Sequence, residues 1–263
     1  MSSAEVAQVS IAVLMLSLSA MTWWMWWRRW KRYGEIWRQE PIASPTWNPV
    51  ALFLSLTLIG IYLMSGLLPR SPESVSITVE NVRFGCFERA MLVAILLSLL
   101  TGFGSRSALD FGVTLANWGR QVMVGLETAH ASFLPVLCLM AATIPLRQPS
   151  EKNALLRLLD QDRSLTTLAW VIFAAVVLAP LVEELLFRVI LLDWLKTKTT
   201  SNHAIGISSL VFAFIHGPLD GAALLPLALL LGSLYDRQQR YLSVVIAHAF
   251  FNLWNIALTM AAR

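Results

Sequence analysis

The sequence has little charge and little cysteine. Charged residues make up 14% of the 263 positions and hydrophobic residues 57%, whereas an average soluble domain is roughly a quarter charged. This balance excludes an ordinary soluble globular domain and is typical of a membrane protein. The two cysteines, Cys86 and Cys138, are too few for a disulfide framework, so no redox compartment follows from them. The sequence also lacks a visible internal repeat.

The N-terminus lacks the basic region that precedes the apolar core of a secretory signal peptide. Its first apolar run instead continues into a tryptophan-rich stretch, WWMWWRRW, which is typical of the membrane interface. We therefore expect a retained first helix. A basic cluster follows this helix, and the positive-inside rule assigns it to the cytoplasmic face. The cluster consists of Arg28, Arg29, Lys31, Arg32 and Arg38.

Apolar segments near the length needed to cross a bilayer, about 20 residues, recur along the whole chain. They predict an all-α fold, a polytopic membrane bundle of about seven or eight transmembrane helices. The predicted segments are residues 6–27, 50–68, 90–103, 122–146, 165–195, 204–216, 222–235 and 242–261.

Two further stretches predict helices on the membrane surface. Residues 105–121 mix apolar and polar positions at near-helical spacing, which favours an interfacial or re-entrant helix, and residues 148–163 favour an amphipathic surface helix. We take this second stretch as a boundary. It separates N-terminal transmembrane helices, residues 1–147, from a membrane domain at residues 148–263 that carries the candidate chemistry.

The segment APLVEELLFR places charged side chains in the middle of an apolar helix. A charge at the bilayer centre costs from about 2.5 to more than 10 kcal/mol, so such groups need a partner or a function. Glu184 and Arg188 are four residues apart and can pair on one helix face. Glu183 is turned about 100° away from Glu184, which leaves it without an obvious local counter-charge. Glu183 is therefore the candidate for chemistry, although Arg188 could also neutralise both acids in a purely structural clamp.

Two later helices carry further polar groups that lipid cannot satisfy. SSLVFAFIH ends in His216, with Phe212 one turn earlier, and HAFFN places His248 and Asn252 four residues apart. Both His248 and Asn252 should face the bundle interior. If the three helices start or end on one membrane face, the rise of 1.5 Å per residue brings these groups to a similar depth as Glu183.

These three stretches resemble the signatures EExxxR, FxxxH and HxxxN of the CAAX-processing and bacteriocin-processing family of intramembrane endopeptidases, also called the Abi family. Order and spacing agree, and the likeness covers about residues 165–256. Many members have glycine after the arginine of the first signature, where this chain has Val189. The residues before 148 match no family that we can name.

The resemblance implies a membrane endopeptidase that hydrolyses a peptide bond of a membrane-associated or prenylated substrate. By this similarity Glu183 and His216 would activate a water molecule, while His248 and Asn252 would stabilise the oxyanion. Glu184 and Arg188, with Phe212, would have supporting roles. No serine or cysteine nucleophile with an adjacent base is evident in the sequence.

A metal ion is a less favoured alternative. Glu183, His216 and His248 form a two-histidine, one-carboxylate set that zinc or iron accepts, but the sequence lacks the HExxH spacing. We therefore expect no cofactor and no metal.

Two other classes of function stay open at this stage. A non-catalytic membrane regulator or self-immunity protein could keep the same fold, and a transporter could use buried Glu and His residues as a proton relay. A transporter would favour two similar halves, which the sequence lacks. For the protease we expect a membrane-associated peptide or protein as substrate, the lipid bilayer as environment, no nucleic-acid partner, and a bacterial inner membrane as location.

Overall fold

The computed structural model describes residues 3–40, 48–67, 77–102, 108–146 and 154–261, and these residues form helices joined by turns and short irregular segments, with no strand. We number the helices in chain order. They are α1 (Ser3–Tyr33), α2 (Pro49–Leu67), α3 (Val79–Gly102), α4 (Trp118–Thr143), α5 (Ala154–Gln161), α6 (Leu165–Lys196), α7 (Ser201–Ile215), α8 (Pro218–Gln238) and α9 (Tyr241–Ala261).

Six of these helices are long and apolar enough to cross a membrane, namely α1, α3, α4, α6, α8 and α9. Two shorter apolar segments, Pro49–Ile61 and Ser201–Ile215, account for the rest of the predicted crossings. The all-helical, multi-pass membrane fold is therefore as predicted. The count of seven or eight spans is not confirmed, because the apolar segment Pro49–Ile61 of α2 and the 15-residue α7 are shorter than a full span.

The structure differs from the prediction before α4. Helix α3 begins at Val79, earlier than the predicted 90, because Thr78 and Asn81 cap it: the Asn81 backbone N–H donates to Thr78 Oγ1, and the Thr78 N–H donates to Asn81 Oδ1. The predicted interfacial helix at 105–121 is wrong over its described part. Residues 108–117 contain only a short 3₁₀ turn, Ala108–Phe111, followed by turns and irregular backbone, and residues 118–121 belong to the start of α4.

Helix α1 packs against α4 through polar contacts as well as apolar ones. The two guanidinium nitrogens of Arg29 bind the two Glu127 oxygens at 3.0 and 3.3 Å, and Trp26 Nε1 donates to Glu127 at 3.4 Å. Such a bidentate pair fixes both distance and orientation. The N-terminal helices are in this way joined to the C-terminal half, since α4 also packs along α8 and α9.

The ends of α6, α8 and α9 lie on the same side of the bundle. Tyr235 and Gln239 donate to the buried carboxylate of Asp193 at 3.3 and 3.4 Å, and the Tyr241 backbone N–H donates to Gly112 O. The start of α7 is on this side too, because Asn202 lines a surface cavity together with Trp30 and Asp236. The basic end of α1 therefore shares a membrane face with these helix ends, which is the condition that the depth estimate required.

Helix α6 is continuous, but its hydrogen-bond pattern changes twice. Residues Phe173–Leu178 and Leu185–Leu192 are π-helical, and the α-helical turn Ala179–Glu184 lies between them. π-helical segments inside α-helices frequently occur at functional sites, because they rotate side chains and free backbone carbonyls. Both glutamates of the first motif lie at the junction of these segments.

Candidate active site

Glu184 and Arg188 form a buried ion pair on α6. Arg188 Nε donates to Glu184 Oε2 at 3.1 Å, and both side chains are 0% exposed. The guanidinium also lies over the Phe212 ring, 5.0 Å from its centroid. Neither Arg188 Nη atom has a hydrogen-bond partner within the described chain. The i, i+4 spacing thus produces the pair that the sequence indicated.

His248 on α9 contacts both glutamates. Its Nδ1 lies 2.7 Å from Glu184 Oε1, and its Nε2 lies 3.9 Å from Glu183 Oε2. A carboxylate only accepts hydrogen bonds, so Nδ1 carries the proton in this contact. Glu184 therefore orients the imidazole, a role that the sequence alone did not assign to it.

His216 lies at the end of α7, where Gly217 stops the helix with a φ of +85°, a conformation that favours glycine. The His216 Nδ1 atom lies 2.8 Å from the Phe212 carbonyl oxygen, which can only accept. The proton of the neutral ring is therefore on Nδ1. This leaves Nε2 as a free acceptor, 3.8 Å from Glu183 Oε2.

Phe212 packs between the polar groups. Its ring centroid is 4.6 Å from that of His216 and 5.7 Å from that of His248, in an edge contact with the second ring. The side chain is fully buried. One phenylalanine therefore holds both imidazoles by van der Waals contact and covers the guanidinium, so its position fixes their spacing.

Glu183 faces both imidazoles without a direct hydrogen bond. Its Oε2 has no hydrogen-bond partner within the described residues, and the two Nε2 atoms approach it at 3.8 and 3.9 Å. These separations allow one water molecule to form hydrogen bonds with Glu183 Oε2 and with the imidazole Nε2 atoms. Side-chain exposure falls from 26% at His216 and 18% at Glu183 to 4% at His248. Access to Glu183 is therefore from the His216 side.

Asn252 lies one turn beyond His248 on α9, but its amide is engaged by the backbone of α6. Its Nδ2 donates to the Ala175 carbonyl oxygen at 2.8 Å. Only one of the two amide hydrogens is used by this bond. The structure thus brings Glu183, His216 and His248 together at one carboxylate oxygen, while Asn252 is bound to the wall beside them.

Two features of the site have no counterpart in the sequence prediction. The Tyr241 hydroxyl, at the first turn of α9, donates to the Leu181 carbonyl two residues before Glu183. The other feature is the Ala175 carbonyl that holds Asn252. Only the second feature could have been found from the sequence. Pro180 lies five residues after Ala175 and has no backbone N–H, so it cannot donate to the Ala175 carbonyl as a π-helix would require.

The described residues contain no group of three or more His, Cys, Asp or Glu side chains with the geometry to hold a metal ion. The candidate set Glu183, His216 and His248 includes an imidazole whose Nδ1 is bound to Glu184 and another whose Nδ1 is bound to a carbonyl. Their Nε2 atoms face the same Glu183 oxygen at 3.8 and 3.9 Å.

Comparison with known families assigns this region. Residues 165–254 match the family model described as type II CAAX prenyl endopeptidase Rce1-like. This part of the chain is similar to the Rce1-like family. The match covers about a third of the chain and contains every candidate site residue, so the resemblance seen in the three signatures is confirmed. Searches of curated proteins and of solved structures found no match to the chain.

Proposed function

We propose that this protein is an intramembrane endopeptidase that hydrolyses a peptide bond of a membrane-associated substrate, of the prenylated CAAX type, with a water molecule activated by Glu183. The observation that carries the proposal is the unpartnered Glu183 carboxylate, which faces two oriented imidazoles inside an Rce1-like segment. A structural clamp would use its acids as it uses Glu184, in short bonds to a cation.

In the first step Glu183 takes a proton from water as the oxygen attacks the scissile carbonyl carbon. The His216 Nε2 lone pair accepts the second hydrogen of this water and orients it, because its Nδ1 proton is committed to the Phe212 carbonyl. The attack forms a tetrahedral intermediate with a negative oxygen. Glu183 then passes its proton to the leaving amine, so that the C–N bond breaks and the carboxylate is regenerated.

The oxyanion needs donors that are already in place. His248 supplies one through Nε2 when both of its nitrogens are protonated, since Nδ1 is held by Glu184. The second amide hydrogen of Asn252 supplies the other. Glu184 and Arg188 keep the imidazole in position, and Phe212 fixes the distance between the two rings.

No metal ion takes part in these steps. The support for this part of the proposal is that the sequence lacks the HExxH spacing of zinc peptidases and that a carboxylate general base can activate water by itself. Chelator treatment of the purified protein should leave cleavage unchanged. Loss of cleavage with chelator that zinc restores would overturn the metal-free step.

The test is cleavage of a prenylated peptide ending in a CAAX sequence by the protein in liposomes. Wild-type protein should release the C-terminal tripeptide, and Glu183→Gln should lower kcat by roughly 10²–10⁴-fold, the usual contribution of general base catalysis. Glu88→Gln is the matched control, because Glu88 is an exposed carboxylate of the spanning helix α3, away from the imidazoles. Equal activity of wild type and Glu183→Gln would contradict the proposal and favour a non-catalytic membrane regulator.

We propose that the protein is located in the inner membrane of a bacterium. The basic end of α1 and the ends of α6 and α8 would then face the cytoplasm. Accessibility of single cysteines placed at Arg38 and at Arg163, labelled from outside intact cells, distinguishes the two orientations.

A further inference from the structure

The carbonyl of Ala175 lacks both donors that a helix would give it. In an α-helix the donor is the N–H four residues on, and in a π-helix it is the N–H five residues on. The N–H four residues on belongs to Ala179, and it donates to Ala174 O as the last bond of the π-helical segment. The residue five on is Pro180, which has no N–H. The series of π-helical backbone hydrogen bonds therefore stops before the Ala175 carbonyl, which is left without a helix donor.

This free carbonyl is the one that Asn252 binds, at 2.8 Å from Nδ2. A carbonyl that is withdrawn from water without a donor destabilises the fold, so the bond to the amide compensates for the missing helix donor. The contact joins α6 to α9. On α6 it lies within three helical turns of Glu183, and on α9 it lies one helical turn from His248. A second crosslink lies nearby, where the Tyr241 hydroxyl donates to the Leu181 carbonyl.

We infer that Pro180 is a positioning residue for Asn252. By withholding an amide hydrogen it keeps the Ala175 carbonyl open, and this carbonyl fixes the Asn252 amide with one N–H bound and the other available to the substrate. The catalytic part of this inference rests on the proposed function. The structural part, a competition between a backbone N–H at position 180 and the Asn252 side chain for one acceptor, does not.

The variant Pro180→Ala supplies the missing N–H. The new donor competes for Ala175 O and releases Asn252, so kcat for the prenylated peptide should fall by about 10-fold to 100-fold, less than the 10²–10³-fold loss of a whole oxyanion-hole donor. KM should change by less than about 2-fold, because ground-state binding is not affected. Pro226→Ala is the control, since Pro226 lies inside the spanning helix α8.

The double variant separates positioning from a general loss of structure. In an Asn252→Ala background the Asn252 amide is already absent, so Pro180→Ala should cause no further loss of kcat. Losses that multiply, or a fully active Pro180→Ala, would overturn the inference.

Thermal unfolding tests the structural part without any activity. Asn252→Ala leaves Ala175 O unpaired and should lower Tm by about 2–4 °C. Adding Pro180→Ala gives this carbonyl a new donor and should recover at least half of that fall, whereas adding Pro226→Ala should recover none of it. A double variant that is no more stable than Asn252→Ala alone would overturn the competition. If the recovery is seen but no peptide is cleaved by wild type, the proposed function fails and the pairing stands.

Discussion

Glu183 and Glu184 are neighbours with different surroundings, and this predicts that the same substitution affects the stability of the protein differently at the two positions. Glu184 accepts hydrogen bonds from Arg188 and from His248, and it is 0% exposed. Glu183 accepts none within the described residues. Replacing each by glutamine removes one charge with almost no change of shape, so the difference between the two variants reports on partners and not on packing.

The size of the effect follows from the buried pair. Removing one member of a buried ion pair costs about 3–5 kcal/mol, because the other charge is left without compensation. At about 2–4 °C per kcal/mol for a chain of this length, Glu184→Gln should lower Tm by roughly 6–20 °C. Glu183→Gln should leave Tm unchanged or raise it slightly, since it takes an unpaired carboxylate out of the apolar interior.

The assay is thermal unfolding of detergent-solubilised protein, followed by tryptophan fluorescence, with cleavage of the prenylated peptide measured on the same samples. Both variants should lose activity, but only Glu184→Gln should lose stability. The double variant Glu184→Gln with Arg188→Met should recover much of the lost Tm, because it also removes the guanidinium charge that Glu184→Gln leaves buried without compensation. A large fall of Tm in Glu183→Gln, or none in Glu184→Gln, would refute this division between the two acids.

Three further predictions concern other residues. A Cβ at Gly221 would lie 2.1 Å from Ala213 O, so Gly221→Ala should push α8 from α7 near His216, lower Tm and reduce kcat/KM at least 10-fold; unchanged kinetics would contradict this contact. Tyr241→Phe removes one hydrogen bond and should cost about 1 kcal/mol, a Tm fall of roughly 2–4 °C. A hydrogen bond from the Thr167 hydroxyl is the main cause that holds the pKa of Asp162 below its usual range. Asp162 therefore adds stability at neutral pH that is lost as pH falls through this lowered pKa, so the Tm difference between wild type and Asp162→Asn should vanish in strong acid; a difference that persists there would contradict the assignment.

The sequence predicts those features of the candidate site that follow from helix periodicity and from the cost of polar groups in lipid. The spacing of Glu184 and Arg188 indicated their pairing, and the cost of polar groups in lipid indicated that His248 and Asn252 face inward. The contact of Glu184 with His248 could not be predicted in this way. It depends on how α9 crosses α6, and on two π-helical segments that shift the faces of α6 away from a uniform period of 3.6 residues.

The fold was predictable where apolar runs are long and was not where polar residues interrupt them. The charges of Glu80, Arg83 and Glu88 delayed the predicted start of α3 by eleven residues, although its cap begins at Thr78. In the stretch 105–121 near-helical spacing suggested a helix, but Gly112 takes a φ of +70° and its carbonyl receives the Tyr241 N–H. Long-range contacts thus decided the structure where the local pattern was weak.

The geometry of His248 explains how two adjacent acids on one helix can act in one site. Glu183 and Glu184 point in directions about 100° apart, which by itself would send them to different neighbours. The imidazole presents nitrogens on two sides, so Nδ1 meets Glu184 and Nε2 faces Glu183. Glu184 thereby aims, through one rigid ring, a donor at the place where Glu183 would activate water. This arrangement requires both acids and the ring together, because Glu184 has no direct contact with the open side of the site and Glu183 has no hydrogen-bonded partner that could orient the ring.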